Sequence, residues 1–263
     1  MNLTIDVGNT QIFCGIFDKN NLKLTFRKTS KAEFSSDELG IFFINVLKEN
    51  KTRPDKIKNV CISSVVPNLN YAIKNSIIKY FKINPLFIET GLKTGINIKY
   101  KNPAEVGADR IANCVGANSL YGNNNYIIID MGTATTFDIL TANREYLGGL
   151  IIPGPKIQAN SLYLSTAKLP SIEIKNMALK IDSTQSAIQS GIYLLNYYGI
   201  CGIVEKIKKE IFQTNEVKVI GTGGFSRIYE KSGIFDICNY DLILYGLNKI
   251  IYKNRSDYDD RNA

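Results

Sequence analysis

Leu3-Thr4-Ile5-Asp6-Val7-Gly8-Asn9-Thr10 returns half a chain later as Ile128-Ile129-Asp130-Met131-Gly132-Thr133-Ala134-Thr135, and this repetition decides the fold. Each copy is an apolar run that ends in Asp-x-Gly with threonine close behind. A second apolar run follows each, Ile12 to Phe17 and Phe137 to Leu140. The pattern predicts a strand, a tight polar turn and a returning strand. Glycine lets the backbone approach a bound group, and the neighbouring amides and hydroxyls aim donors at it. An aspartate at the strand end can hold a hydrated cation. One such turn would read as a plain hairpin. Two, at half-length spacing, predict a pair of similar halves whose turns face each other and clamp phosphate.

The rest of the chain fits two halves, residues 1–121 and 122–263. Ser36 reads as the cap of a helix that repeats Leu39, Phe42, Phe43, Val46 and Leu47 at helical spacing. A buried strand over residues 59–64, a helix over 68–81 and a short strand at 86–89 follow. Residues 91–101 are irregular and deliver Asn102-Pro103-Ala104-Glu105-Val106-Gly107-Ala108-Asp109-Arg110 to the start of another helix. The second half repeats a three-stranded meander (126–131, 133–140, 145–152). Pro155 then suits a helix first turn. A long helical stretch runs from Thr184 to Phe212, and its glycines, Gly191, Gly199 and Gly202, are expected to permit close helix packing. Gly221-Thr222-Gly223-Gly224 reads either as a plain strand-to-helix turn or as a small-residue floor for a nucleotide base, and the two Asp-x-Gly turns favour the second. A last helix is expected over 241–252, in the second half, before a charged, frayed tail.

Composition narrows the chemistry. Hydrophobic content of 44% with 21% charged residues is that of an ordinary soluble globule across 263 residues. No apolar run approaches the ~18 residues of a membrane span, and Asp6 interrupts the first one, so a cytoplasmic protein without a signal peptide is expected. The five cysteines are scattered and read as buried reduced thiols. There is no histidine, which excludes Ser-His-Asp and Cys-His catalysis, and proton handling falls to a carboxylate, Lys, Tyr or Cys. The formal charge of +8 comes from dispersed Lys and Arg, so a solvated surface is expected rather than a nucleic-acid partner. No Gly-x-x-x-x-Gly-Lys-Ser/Thr loop is present.

The duplicated plan resembles the actin-like superfamily. Asp6-Val7-Gly8-Asn9-Thr10, Gly107-Ala108-Asp109-Arg110, Asp130-Met131-Gly132-Thr133-Ala134-Thr135-Thr136, Gly148-Gly149 with Ile152-Pro153-Gly154, and Thr166-Ala167-Lys168-Leu169-Pro170 together resemble type III pantothenate kinases over essentially the whole chain. The resemblance implies an α/β fold of duplicated actin-like (ribonuclease H-like) halves, mixed sheets flanked by helices, with a nucleotide cleft between them. It implies phosphorylation of pantothenate by ATP with Mg2+, the first step toward coenzyme A. ATP would lie along Asp6, Val7, Gly8, Asn9, Thr10, Gln11, Ile12 and Phe13, with Thr133 contributing from the second turn. Asp109 would accept the pantothenate hydroxyl proton, a light task in a loose phosphoryl-transfer transition state. The same carboxylate could instead cap the helix. Tyr100, Gly107, Ala108, Asp109, Arg110 and Thr184 would contact pantothenate, and Asp130 would hold a monovalent cation, K+ or NH4+. A homodimer is implied, with the Thr184 helix at the interface; no membrane partner is expected. The alternative is a nucleotide-binding regulatory protein of the same fold without kinase activity.

Overall fold

The computed structural model describes residues 1–30, 33–214 and 216–254; the charged tail expected to fray lies outside them. The chain divides into two compact units, residues 1–122 with 241–254, and residues 123–240.

In the first unit β1 (Asn2–Val7), β2 (Gln11–Asp18) and β3 (Asn21–Thr29) form an antiparallel meander. The chain then crosses through α1 (Ser36–Glu49) to β4 (Asn59–Ser64), which lies parallel to β1, and through α2 (Pro67–Phe81) to the short β5 (Leu86–Phe87). The sheet order is β3-β2-β1-β4-β5. A two-residue strand β6 (Asn97–Ile98) precedes α3 (Ala108–Tyr121).

α1 begins at the predicted place, but its cap is Ser35 rather than Ser36. The Ser35 hydroxyl accepts the Glu38 N–H at 3.1 Å while Glu38 reaches back to the Ser35 N–H at 2.8 Å, a reciprocal pair that fixes the start. One sheet face, with Leu3, Ile5, Val7, Ile12, Cys14 and Ile16, packs on Leu39, Phe43 and Leu47 of α1 and Leu69, Ile73 and Ile77 of α2.

The second unit repeats this plan with β7 (Tyr126–Met131), β8 (Ala134–Leu140) and β9 (Glu145–Pro153) as the meander. α4 (Pro155–Ser165), α5 (Thr184–Ile207), β10 (Lys218–Thr222) and β11 (Ile237–Cys238) follow. β10 lies parallel to β7, and β11 parallel to β10, giving the order β11-β10-β7-β8-β9. Ile127, Ile129, Met131, Phe137 and Ile139 pack on Ile200, Val204 and Ile207 of α5.

The last helix, α6 (Leu242–Asn254), corrects the expected division: it belongs with the first unit, not the second half. It covers the other face of the first sheet, with Tyr245 edge-on to Phe17 at 5.2 Å and Leu244 against Gly15. A chain of buried amides fixes its register. Asn59 donates to Asn2 at 2.9 Å, Asn2 to Asn248 at 2.8 Å, and Asn248 to the Lys19 carbonyl at 3.0 Å. It also meets α3 closely enough that a Cβ built on Gly116 would strike the Leu242 carbonyl oxygen, and one on Gly246 the Ala112 carbonyl oxygen. The close glycine packing expected along α5 is therefore found between α3 and α6. Around Gly191, Gly199 and Gly202, among the described residues, nothing beyond the helix's own backbone lies within 4 Å of a built Cβ.

Candidate functional site

The first turn leaves β1 at Asp6 and re-enters the sheet at Gln11. The Gly8 N–H closes it onto the Gln11 carbonyl at 3.0 Å, and Ser30 of the β3 end braces it by donating to the Gly8 carbonyl at 2.7 Å. With the Gly8 amide committed to the turn, the groups that face outward belong to Asn9, Thr10 and Gln11, all exposed, while Val7, Ile12 and Phe13 are buried. The second turn is one residue tighter, with Gly132 N–H bonded to the Ala134 carbonyl at 2.9 Å. The registers therefore differ: Asp6 lies opposite Phe13, whereas Asp130 lies opposite Thr136. Thr133 sits exposed at the second tip, and its carbonyl accepts the Gly154 N–H at 3.1 Å. A side chain at Gly154 would strike the Gly132 and Thr133 carbonyl oxygens, which accounts for a glycine there.

Asp130, next to last in β7, has Thr136 on one side and Thr222 on the other. Gly223, at φ +81°, turns the chain so that Asp130 Oδ1 occupies the place a Cβ would take. The loop that reads in sequence as a base floor thus also walls in Asp130. Carboxylate and hydroxyl oxygens make a hard-oxygen donor set, which fits a monovalent cation or Mg2+ and suits neither a soft nor a nitrogen-seeking metal.

Gly107 to Arg110 open α3 in the first unit. Gly107 is the cap residue, and a Cβ on it would strike Asp109 Oδ1. Its absence lets the Asp109 carboxylate fold back to accept the Arg110 N–H at 2.8 Å. Burial pushes the Asp109 pKa above the ordinary carboxylate value, and the Arg110 amide and guanidinium offset this only partly. Arg110, 7% exposed, is no surface arginine. Tyr100 is half-buried in the segment that leads to α3, and Ala108 is buried. Thr184 is the exposed first residue of α5, behind a Ser183–Ser186 capping box. The first unit alone thus carries the Asp6 to Phe13 turn with Tyr100 and Gly107 to Arg110. The second carries Asp130, Thr133 and Thr184.

A family model described as type III pantothenate kinase matches residues 2–210. The chain belongs to the type III pantothenate kinases. A relative so named from Legionella pneumophila strain Paris is 46% identical, over 94% of this chain and 96% of its own length. One from Elusimicrobium minutum is 45% identical, over 97% and 100%. Membership makes the protein a phosphotransferase that phosphorylates pantothenate.

Solved structures support the actin-like kinase fold. One from Sinorhizobium meliloti, assigned as a 2-dehydro-3-deoxygalactonokinase, superposes with a TM-score of 0.58 over all of both chains at 9% identity. The activator of the 2-hydroxyisocaproyl-CoA dehydratase from Clostridium difficile, solved with bound ADPNP, gives 0.51 over 96% of this chain and 93% of its own at 12% identity. Sequence reasoning overlooked Gly223 as the wall of Asp130 and Gly107 as the clearance for Asp109. Both signals were present as glycines beside an aspartate, but only the folded chain shows what a Cβ would strike.

Proposed function

We propose that this chain transfers the γ-phosphoryl group of ATP to the pantothenate hydroxyl with Asp109 as proton acceptor. The observation that carries the reading is the Asp109 carboxylate, cleared by Gly107 and raised in pKa by burial, in the same unit as the Asn9-Thr10 turn. Asn9, Thr10 and Gln11 supply donors for the nucleotide phosphates, and Thr133 adds a hydroxyl from the second unit. Asp109 orients the substrate hydroxyl and takes its proton as the phosphoryl group moves. The Arg110 fork suits the pantothenate carboxylate. Tyr100, Ala108 and Thr184 complete the substrate contacts. Cysteines that are all free thiols, three of them buried, fit a reducing cytoplasm. Among the described residues no helix is long and apolar enough to cross a membrane. A coupled ADP-release assay with pantothenate tests the activity; no pantothenate-dependent ADP release would favour the regulatory alternative.

Asp130, with Thr136 and Thr222 beside it, would hold K+ or NH4+, whose charge offsets that of the phosphates. Activity in sodium alone is expected to be low and to recover with potassium or ammonium, and Asp130→Ala should flatten that response. Equal rates in all three salts would remove the cation from Asp130.

The homodimer is proposed through α5 and α4. Ile192 of α5 is only 5% exposed and offers no surface to a partner. Leu195 and Tyr198, 65% and 67% exposed, stand on the outer face with the three uncovered glycines, and Leu164 of α4 is 78% exposed. Leu195→Arg with Tyr198→Arg should convert dimer to monomer in light scattering and lower activity together. A fully active wild-type species of 29.4 kDa would refute the dimer.

A further inference from the structure

A row of side chains crosses the first sheet in register. Ser63 of β4 lies beside Asp6 of β1, Asp6 opposite Phe13 of β2, and Phe13 opposite Arg27 of β3. Register partners project to the same face. This is the face opposite the α1 and α2 core, because that core takes the alternate residues Ile5, Val7, Ile12 and Cys14. Further along the same face, α6 lies against Gly15 and Phe17. The row itself falls at the strand ends, where the Gly8 to Thr10 turn begins.

The two adjacent cations of β3 serve different faces. Lys28 stands over the Phe34 and Phe42 rings at 4.8 and 4.6 Å, both of which pack on the α1 and α2 core. Arg27 takes the turn's face and lies over the Phe13 ring, its guanidinium carbon 3.6 Å from the centroid, a separation at which a guanidinium stacks. Stacking engages the flat face of the guanidinium and fixes the plane of its donor fork. An edge-on fork of fixed plane is the geometry in which arginine meets a phosphate. At the inner end of the row Ser63 is fully buried, and among the described residues its hydroxyl has no hydrogen-bond partner. Buried hydroxyls are ordinarily satisfied, so this end of the row is also built for an oxygen that the protein does not itself supply.

We infer that Arg27 is a phosphate-positioning residue. Held on Phe13, it directs its fork at the outer phosphates of a nucleotide seated on the Asn9-Thr10 turn, while Ser63 meets a water or ligand oxygen at the inner end. The inference rests on the kinase reading above and adds to it a residue outside the Asp6 to Phe13 segment.

The test uses the whole chain, with Arg27→Gln and Arg27→Lys, and compares ATP with AMP. Titration calorimetry should show ATP binding weakened about 10- to 100-fold in Arg27→Gln, the size of a charge-assisted hydrogen bond. AMP, which has no outer phosphates, should bind both forms alike. Arg27→Lys keeps the charge but loses the planar fork and should fall between. In turnover the KM for ATP should rise more than kcat falls. If wild type binds ATP and both variants bind it equally well, Arg27 is only a cover for Phe13 and the inference is overturned. Equal weakening of ATP and AMP would also overturn it, by indicating a distorted turn. A wild-type chain that binds no ATP would instead bring down the kinase reading itself.

Discussion

Asp109→Asn is expected to bind ATP as tightly as the wild type, to lose ~10²–10⁴-fold in turnover, and to be no less stable. The loss follows from chemistry: an amide cannot accept the pantothenate proton, although it can still accept the Arg110 N–H that positions it. The stability result follows from the sign of the pKa shift. Burial raises the Asp109 pKa more than Arg110 lowers it, so the folded protein holds that proton more tightly than the unfolded chain. Stability is then lost as pH rises from the ordinary carboxylate value through the raised one, and near neutrality the ionised carboxylate is a net cost. Asparagine removes that cost. A chemical-denaturation series across pH checks it: the wild type should gain on the variant as pH falls through that window. In the same window kcat/KM of the wild type should decline with the ionised fraction of Asp109. Near-normal turnover in Asp109→Asn would leave the residue a helix cap, and a variant clearly less stable at neutral pH would contradict the burial argument.

Most of the fold was legible because its signals are local. Strand alternation and helical spacing depend on neighbours, and β4 runs over residues 59–64 as the pattern predicts. The duplicated Asp-x-Gly turns announced the two sheets of matching order. The failures are of another kind. Ser35 rather than Ser36 caps α1 because the cap is chosen by which serine Glu38 can reach back to. Sequence repetition made the two turns look equivalent, yet one fewer residue in the second places Thr136, not Phe137, across from Asp130. On α5, an apolar residue at nearly every angle left its buried side undetermined. Contacts with the sheet of its own unit choose Ile200, Val204 and Ile207, and leave Leu195 and Tyr198 outside. Of the site, the residue types and their order could be read from the chain. The clearances around Asp109 and Asp130 could not, because they depend on which backbone comes within reach of an absent Cβ.

Gly246→Ala is expected to destabilise the protein by about 1–3 kcal/mol or more, the scale of an overpacked core. Two effects of opposite sign compete. Alanine improves helix propensity by about 1 kcal/mol in a helix interior. Against this, the new methyl would strike the Ala112 carbonyl oxygen and would lie 3.0 Å from the Gly116 nitrogen. Both are backbone atoms of α3, so no side chain can rotate away and the helices must part. Parting them would strain the buried Asn2–Asn248 hydrogen bond and the packing of Leu244 on β2, which hold α6 in the first unit. Urea denaturation should show the drop, and Gly116→Ala should behave alike from the other side, where the Leu242 carbonyl oxygen is in the way. The same substitution at Gly199 supplies the contrast, because among the described residues nothing beyond its own helix backbone lies within 4 Å of its built Cβ. There propensity acts alone, and a gain of about 1 kcal/mol is expected in a monomer. A loss at Gly199 under conditions where the protein is dimeric would mean that a second copy packs against that glycine, as the proposed interface requires. A gain at Gly246 would mean that α6 is not seated on α3 as described, and with it the assignment of the last helix to the first unit would fall.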